Sequence, residues 1–302
     1  MPIPATAIPE FRDGPIRVAL VHGNPGDVNS PSGLLPIPEI FLFLGKIRSM
    51  KIVLSPAKSL DFESPLPTTK ATLPEFMGEA ERINGILARR KPRSLSRLMN
   101  ISDDLANLNW QRNQDFETPF TTSNARPAVF AFAGDVYQGL DAYTLSEAAF
   151  NRLQNSLRIL SGLYGILKPF DLIQAYRLEM GTQLRIGRKK NLYQFWKTPL
   201  TEFLNRELEA DEFFVNLASK EYFDAIDTKK LKVPVISPVF KDWKNDNLKV
   251  IGFFAKKARG AMVRYIVENK VRDLDGLRGF DSFDYTYSRE HTLRESDPVF
   301  VR

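Results

Sequence analysis

Apolar side chains along the chain follow two periods, and the switches between them predict the elements. Short, nearly continuous apolar runs at 51–55, 128–133, 157–161, 213–218, 235–240 and 248–255, with a further one at 283–288, read as strands. Helical spacing predicts helices over 75–90, 103–113, 146–156, 192–209 and 258–270. Val129-Phe130-Ala131-Phe132 and Phe213-Phe214-Val215-Asn216-Leu217 are apolar almost throughout, the pattern of strands buried on both faces and of some parallel pairing. The expected fold class is α/β (mixed α+β), one compact domain over 50–302 around a mixed, partly parallel sheet. Leu95, Leu98, Ile101, Leu105 and Leu108 recur at helical spacings across 94–113, which gives two short helices joined at Ile101-Ser102, with Ser102 capping the second. Such a pair is either an ordinary packed hairpin or a helix-hairpin-helix that grips a nucleic-acid backbone through turn amides. The glycines usual in the latter are absent, and Asp103 and Asp104 would repel phosphate.

Residues 1–49 keep neither period and hold 8 of the 20 prolines. They are expected to form a poorly ordered arm, arising from a start codon upstream of Met50 or serving as a binding tail. The apolar patch Phe41-Leu42-Phe43-Leu44 is far shorter than the ~20 residues that span a bilayer, and no signal-peptide pattern surrounds it, so no membrane partner is expected.

Composition narrows the chemistry. With 43% hydrophobic residues in 302, a sizeable core can form. The lack of cysteine excludes disulfides, thiolate metal sites and a cysteine nucleophile, and suits a cytoplasmic location. His22 and His291 are too few for a histidine zinc site and make a Ser-His-Asp triad a poor fit. No metal or cofactor is expected, and proton transfer would fall to carboxylates, lysines or tyrosines. The arm is neutral, so the net charge of +6 belongs to residues 50–302. Its grouping into Arg89-Arg90-Lys91, Arg188-Lys189-Lys190 and Lys256-Lys257-Ala258-Arg259 suits a polyanion.

Several loops follow strands and carry candidate chemistry. "LSPAKSL" (54–60) places Ser55 and Lys58 beyond the first strand, at the edge where open α/β sheets collect ligands; an exposed loop lysine is the alternative. "FAGDVYQGL" (132–140) offers Asp135 and Tyr137 at a strand exit, as site residues or as ordinary turn chemistry. "LSGLYG" (160–165) brings Ser161 and Tyr164 to a glycine-rich exit that matches neither the P-loop nor the dinucleotide pattern, leaving a site wall or a tight connection. In "YRLEMG" (176–181) alternation puts Arg177 and Glu179 on one face, as an internal ion pair or an oxyanion clamp. "FFAKKARGAMVRYIVENK" (253–270) sets Lys256, Lys257 and Arg259 at an expected helix start near Ala258, where free amides and the dipole attract phosphate. On that helix Lys257, Gly260 and Arg264 fall on the outer arc.

Together, SPAKS (55–59), FAGDVYQGL (132–140), LSGLYGILKPFDLIQAYRLEMG (160–181), LYQFW (192–196), NLASKEY (216–222) and FFAKKARGAMVRY (253–265) resemble the YaaA family of bacterial peroxide-stress proteins, over essentially all of 50–302. The resemblance implies an intracellular protein of the hydrogen peroxide response that limits iron-driven oxidative damage and has an unusual α/β fold. It also implies binding to DNA, duplex or branched, through a basic cleft and a helix-hairpin-helix. Carried over, Leu98, Ile101 and Leu105 would belong to the hairpin, and Lys58, Lys256, Lys257 and Arg259 to the cleft, with Arg264 beside them. Such binding would be salt-dependent and without strong sequence preference. The resemblance attaches no reaction. The competing expectation is an enzyme acting on a small phosphorylated or carboxylated anion, with Lys58, Asp135, Tyr137, Arg177, Glu179 and Lys256 grouped in one pocket.

Overall fold

The run Met50–Leu54 becomes the middle strand of a five-stranded sheet, since Ile52, Val53 and Leu54 can be buried only with strands on both sides. In a computed structural model, which describes residues 50–302, it pairs in parallel with Leu157–Ser161 on one side and Phe213–Asn216 on the other. Val235–Ile236 continues the parallel set beyond Phe213–Asn216, and Gly165–Leu167 closes the opposite edge antiparallel to Leu157–Ser161. The expected N-terminal arm lies outside the described residues.

A second, four-stranded sheet runs in the order Asn247–Lys249, Val239–Lys244, Val299–Val301, Thr286–Tyr287. Phe240, Phe280, Tyr285 and Phe300 fill its inner face and belong to the same apolar core as the first sheet. The expected strand 235–240 divides at Ser237-Pro238 between the two sheets. Helices Met77–Ala88, Glu147–Ser156, Leu192–Glu207 and Gly252–Asn269 turn apolar faces to this core.

Several expectations are corrected. The expected strand 128–133 is a helical turn, Ala128–Ala131, followed by the short strand Phe132–Ala133. Its burial is as expected, but the Ala128 and Val129 N–H groups donate to Asp171 and Pro169 carbonyls at 2.8 and 2.9 Å, so loop carbonyls replace a ladder. The expected strand 248–255 ends at Lys249, and the helix expected to start near Ala258 begins at Gly252. Ala255 is buried in phase with Ala258 and Met262, so the helical apolar face extends back to Phe254, while Phe253 is exposed. Gly260, expected on the outer arc, is buried.

Pro92–Met99 and Asp103–Gln114 form the expected helical hairpin, turning through Asn100 in the left-handed region (φ 51°, ψ 56°). Ser102 caps the second helix, its Oγ accepting the Leu105 N–H at 3.4 Å. That helix is rotated relative to expectation: Leu105 and Leu108 are exposed, whereas Ala106, Asn109 and Asn113 face inward. Asn84 Nδ2 donates to the Asn113 carbonyl at 3.0 Å, so polar side chains fix this register.

Candidate functional site

The parallel strands end side by side, and their carboxyl ends place Ser55, Ser161 and the segment 217–219 along one edge. Ser55 stitches this edge together. Its Oγ accepts the Ser219 N–H at 2.8 Å and donates to Ser219 Oγ at 3.2 Å, while Tyr137 OH donates to the Ser55 carbonyl at 3.1 Å. Ser161 and Tyr164 are fully buried, Ser161 Oγ bonding Tyr176 OH at 2.7 Å and accepting the Tyr164 N–H at 2.9 Å. These two hold the turn rather than line its outer surface.

The segment 176–181 lies against that turn. A Cβ on Gly162 would stand 2.3 Å from the Leu178 carbonyl oxygen, so only glycine allows this approach. Arg177 Nη2 then reaches Glu179 Oε1 at 2.8 Å, and Lys58 Nζ reaches Glu179 Oε2 at 2.8 Å. Burial acts to raise the Glu179 carboxyl, but bonds from Lys58 and Arg177 outweigh it and hold the group below the usual glutamate range. Burial pushes the phenols of Tyr137, Tyr164, Tyr176 and Tyr222 upward, so all four stay protonated near neutrality.

Asp135 opens the helix Asp135–Leu140, after Gly134 at φ 145°. A Cβ on Gly134 would lie 3.5 Å from Ala57 Cβ, which sets Asp135 beside the loop carrying Lys58. The helix crosses Gly252–Asn269 at two glycines: a Cβ on Gly260 would meet the Val136 carbonyl oxygen at 1.7 Å, and one on Gly139 the Lys257 carbonyl oxygen at 2.0 Å. The Lys58 loop, Asp135 and the basic helix are therefore neighbours.

The cations of that helix have different surroundings. Lys257 sits over the Phe283 ring at 4.8 Å, and Arg264 is held by Asp141 at 3.3 Å and Glu268 at 2.9 Å. Lys256 is exposed, while Arg259 is half-buried with no hydrogen bond or ion pair among the described residues. Burial lowers the Arg259 guanidinium from its ordinary value. Because the helix begins at Gly252, these side chains lie beyond its free N-terminal amides, and the expected anion site at a helix start does not exist in that form.

A cleft of about 700 Å³ beside Arg264 is lined by Asp141, Glu268, Asp281 and Phe283. Three acids against one arginine make it a poor seat for a polyanion. No group of His, Asp or Glu suited to a metal ion occurs among the described residues.

Sequence reasoning misses Ser219, Tyr176, Glu221 and Tyr222. The rule that selects Ser55, a serine just past a buried strand, would also select Ser219 in "NLASKEY".

These features define an α/β protein with a mixed, mostly parallel sheet and a polar, charged cluster at its carboxyl edge. Residues 50–291 match the family described as peroxide stress protein YaaA, and the chain belongs to that family. It is 60% identical over 257 residues to a UPF0246 protein of Flavobacterium psychrophilum, covering 84% of this chain and 100% of that one. A UPF0246 protein of Flavobacterium johnsoniae is 59% identical over 238 residues, 79% of this chain and 94% of the relative. One from Shewanella piezotolerans is 52% identical over 255 residues, 84% and 99% of the two chains.

Proposed function

We propose that this member of the peroxide stress family binds DNA through its phosphate backbone in the cytoplasm, without strong sequence preference, and thereby limits iron-driven damage. The observation that carries this reading is the pair of cations without acidic partners on the helix Gly252–Asn269, Lys256 and Arg259. A half-buried guanidinium with no acceptor is costly unless an anion reaches it. The hairpin adds Arg89, Lys91, Arg93 and Arg97, all exposed and likewise without an acidic partner among the described residues. Its Asp103 and Asp104 face solvent and direct phosphate toward the first helix rather than the turn.

The test is fluorescence anisotropy of labelled duplexes of unrelated sequence over a salt series. The log-log salt slope of the wild type should fall by about 2 in the Lys256→Ala/Arg259→Ala double variant, ~0.9 for each phosphate no longer neutralised. Thermal stability should hold, because neither side chain has a partner to lose. Unchanged affinity and slope in the double variant would remove this reading.

A second reading, an enzyme acting on a small phosphorylated or carboxylated metabolite, is favoured by one observation. Ser55, Lys58, Tyr137, Arg177 and Glu179 meet at the carboxyl edge of a parallel sheet, where open α/β folds bind ligands.

A further inference from the structure

The strands Val239–Lys244 and Asn247–Lys249 form a hairpin that turns through Asn245 and Asp246, both in the left-handed region (φ 51° and 59°), a two-residue connection whose twist matches that of its strands. Alternation sends the side chains to two environments. Phe240 and Asp242 point inward: Phe240 joins the core, and Asp242 takes Arg302 Nη2 at 2.7 Å and Tyr285 OH at 2.8 Å. Lys241 and Trp243 point outward. The register sets Lys241 beside Val301 and then Thr286, and Trp243 beside Leu248. One face of the sheet thus presents two cross-strand rows whose residues are all half-buried or exposed.

Trp243 is the residue of this face that folding does not explain. Of the three tryptophans, Trp196 is fully buried and Trp110 half-buried, whereas Trp243 is 55% exposed. So large an apolar ring left in water marks a contact surface. The ring is nevertheless held in place. The Trp243 backbone N–H donates to the Arg302 carbonyl at 3.0 Å, and the His291 ring packs against the indole edge to face, centroids 6.0 Å apart, with His291 Nδ1 itself 2.8 Å from Ser288 Oγ. An aromatic ring oriented before binding loses little freedom when a flat partner stacks on it.

Charge selects the partner. Lys241, Lys244 and Lys249 have no acidic partner among the described residues, and the one acid exposed in the hairpin is Asp246 at its tip. In the loop that carries His291, Arg289 and Glu290 add one exposed charge of each sign. A second copy of this chain would set lysines against lysines, and a three-residue edge strand ending in lysine discourages strand pairing. Nucleic acid answers both features, with phosphates for the lysines and a base for the indole. Bases inside a duplex already stack on one another, so the ring can take only an unpaired one.

We propose that Trp243, with Lys241, Lys244 and Lys249, forms a docking platform for single-stranded DNA, the indole stacking on an unpaired base and the lysines meeting the adjoining phosphates. The inference rests on the reading of this protein as a DNA binder and names the form of DNA, but it uses residues other than Lys256 and Arg259.

The experiment titrates the full chain with a short oligothymidylate, the same backbone carrying abasic units, its RNA counterpart and a duplex, following anisotropy of labelled strands and, with unlabelled ones, tryptophan emission. Oligothymidylate should quench the emission and bind at least about tenfold more tightly than the abasic strand, which keeps the phosphates and lacks the bases. Trp243→Ala should weaken the single strand at least about fivefold and leave the duplex unchanged. Trp243→Phe should retain most of the binding, whereas Trp243→Leu, apolar but unable to stack, should behave as Trp243→Ala. Lys241→Ala/Lys249→Ala should lower the log-log salt slope for the single strand by about 1.4, ~0.7 for each phosphate no longer neutralised. Should Trp243→Ala lower Tm, the intact and abasic strands on the wild-type chain decide the matter. Equal affinity for those two strands, or wild-type binding by Trp243→Leu, overturns stacking. Tighter binding of the RNA overturns DNA as the occupant, and a wild-type dimer that Trp243→Ala splits gives the face to a second copy. Duplex binding without single-strand binding sinks this proposal alone; failure of both removes the reading as a DNA binder as well.

Discussion

Asp171 is buried where the loop before Phe76 meets the turn after Gly165–Leu167, its carboxylate accepting Thr72 Oγ1 at 2.6 Å and the Lys168 N–H at 2.7 Å. Burial outweighs these bonds and raises its pKa to about 6 from the ordinary 3.8. A carboxyl group raised in the folded state favours folding below its unfolded pKa, and this contribution fades as pH climbs through the folded value. Stability should therefore drop between about pH 4 and pH 6, by roughly 3 kcal/mol for a two-unit shift. Denaturant titrations over that range should show the drop, and Asp171→Asn should flatten it. Persistence of the full slope in Asp171→Asn would assign it to another group. Asp61, lowered to about 2 by hydrogen bonds from Ser64, acts with the opposite sign, below pH 4. At this scale the alternation in "YRLEMG" reveals Arg177 and Glu179, and the ion pair follows from it. Nothing in the sequence marks the clamp between Glu117 and Gln174, residues 57 apart in the chain, which ties the segment after the second hairpin helix to the one before Arg177.

Among elements, the crossing of Asp135–Leu140 and Gly252–Asn269 depends on two missing side chains. Gly260→Ala would drive a methyl group into the Val136 carbonyl and should destabilise by roughly 3 kcal/mol, the upper range for overpacking. Gly85, inside Met77–Ala88, has nothing within 4 Å of the place a methyl group would take, and Gly85→Ala should stabilise by about 0.5–1 kcal/mol. Thermal melts of the two variants should move in opposite directions; a neutral Gly260→Ala would show that the two helices stand too far apart to need the glycine. The crossing also explains why the helix start at 252 is hidden in the sequence. Gly252-Phe253-Phe254 has strand composition, and helical phase emerges only once Ala255 is seen packing with Ala258 and Met262. Strands such as 213–216 are legible because burial on both faces leaves a nearly continuous apolar run, whereas Ala128–Ala131 has the same apolarity without the ladder. The phase of the second hairpin helix is obscured for the converse reason: asparagines, not leucines, face its neighbours.

At the level of the molecule, the order of the first sheet sets Met50–Leu54 between strands more than 100 and more than 150 residues later. Of the described strands this one leaves the ribosome first, yet neither of its edges can be covered until residues 157–161 and 213–216 have been made. At about 5–20 residues per second, the wait for the second partner lasts roughly ten to thirty seconds. Such long-range pairing slows folding, and a bare apolar strand invites pairing with other chains. A chain truncated after Leu208 should therefore lack a cooperative thermal transition and aggregate, measured by circular dichroism and light scattering; a sharp transition would show that the earlier elements fold without the strand at 213–216. For the nascent chain, the strand that later centres the sheet is the segment longest in need of protection, and a synthesis pause between residues 161 and 213 would leave it half covered, with its sticky edge turned to solvent.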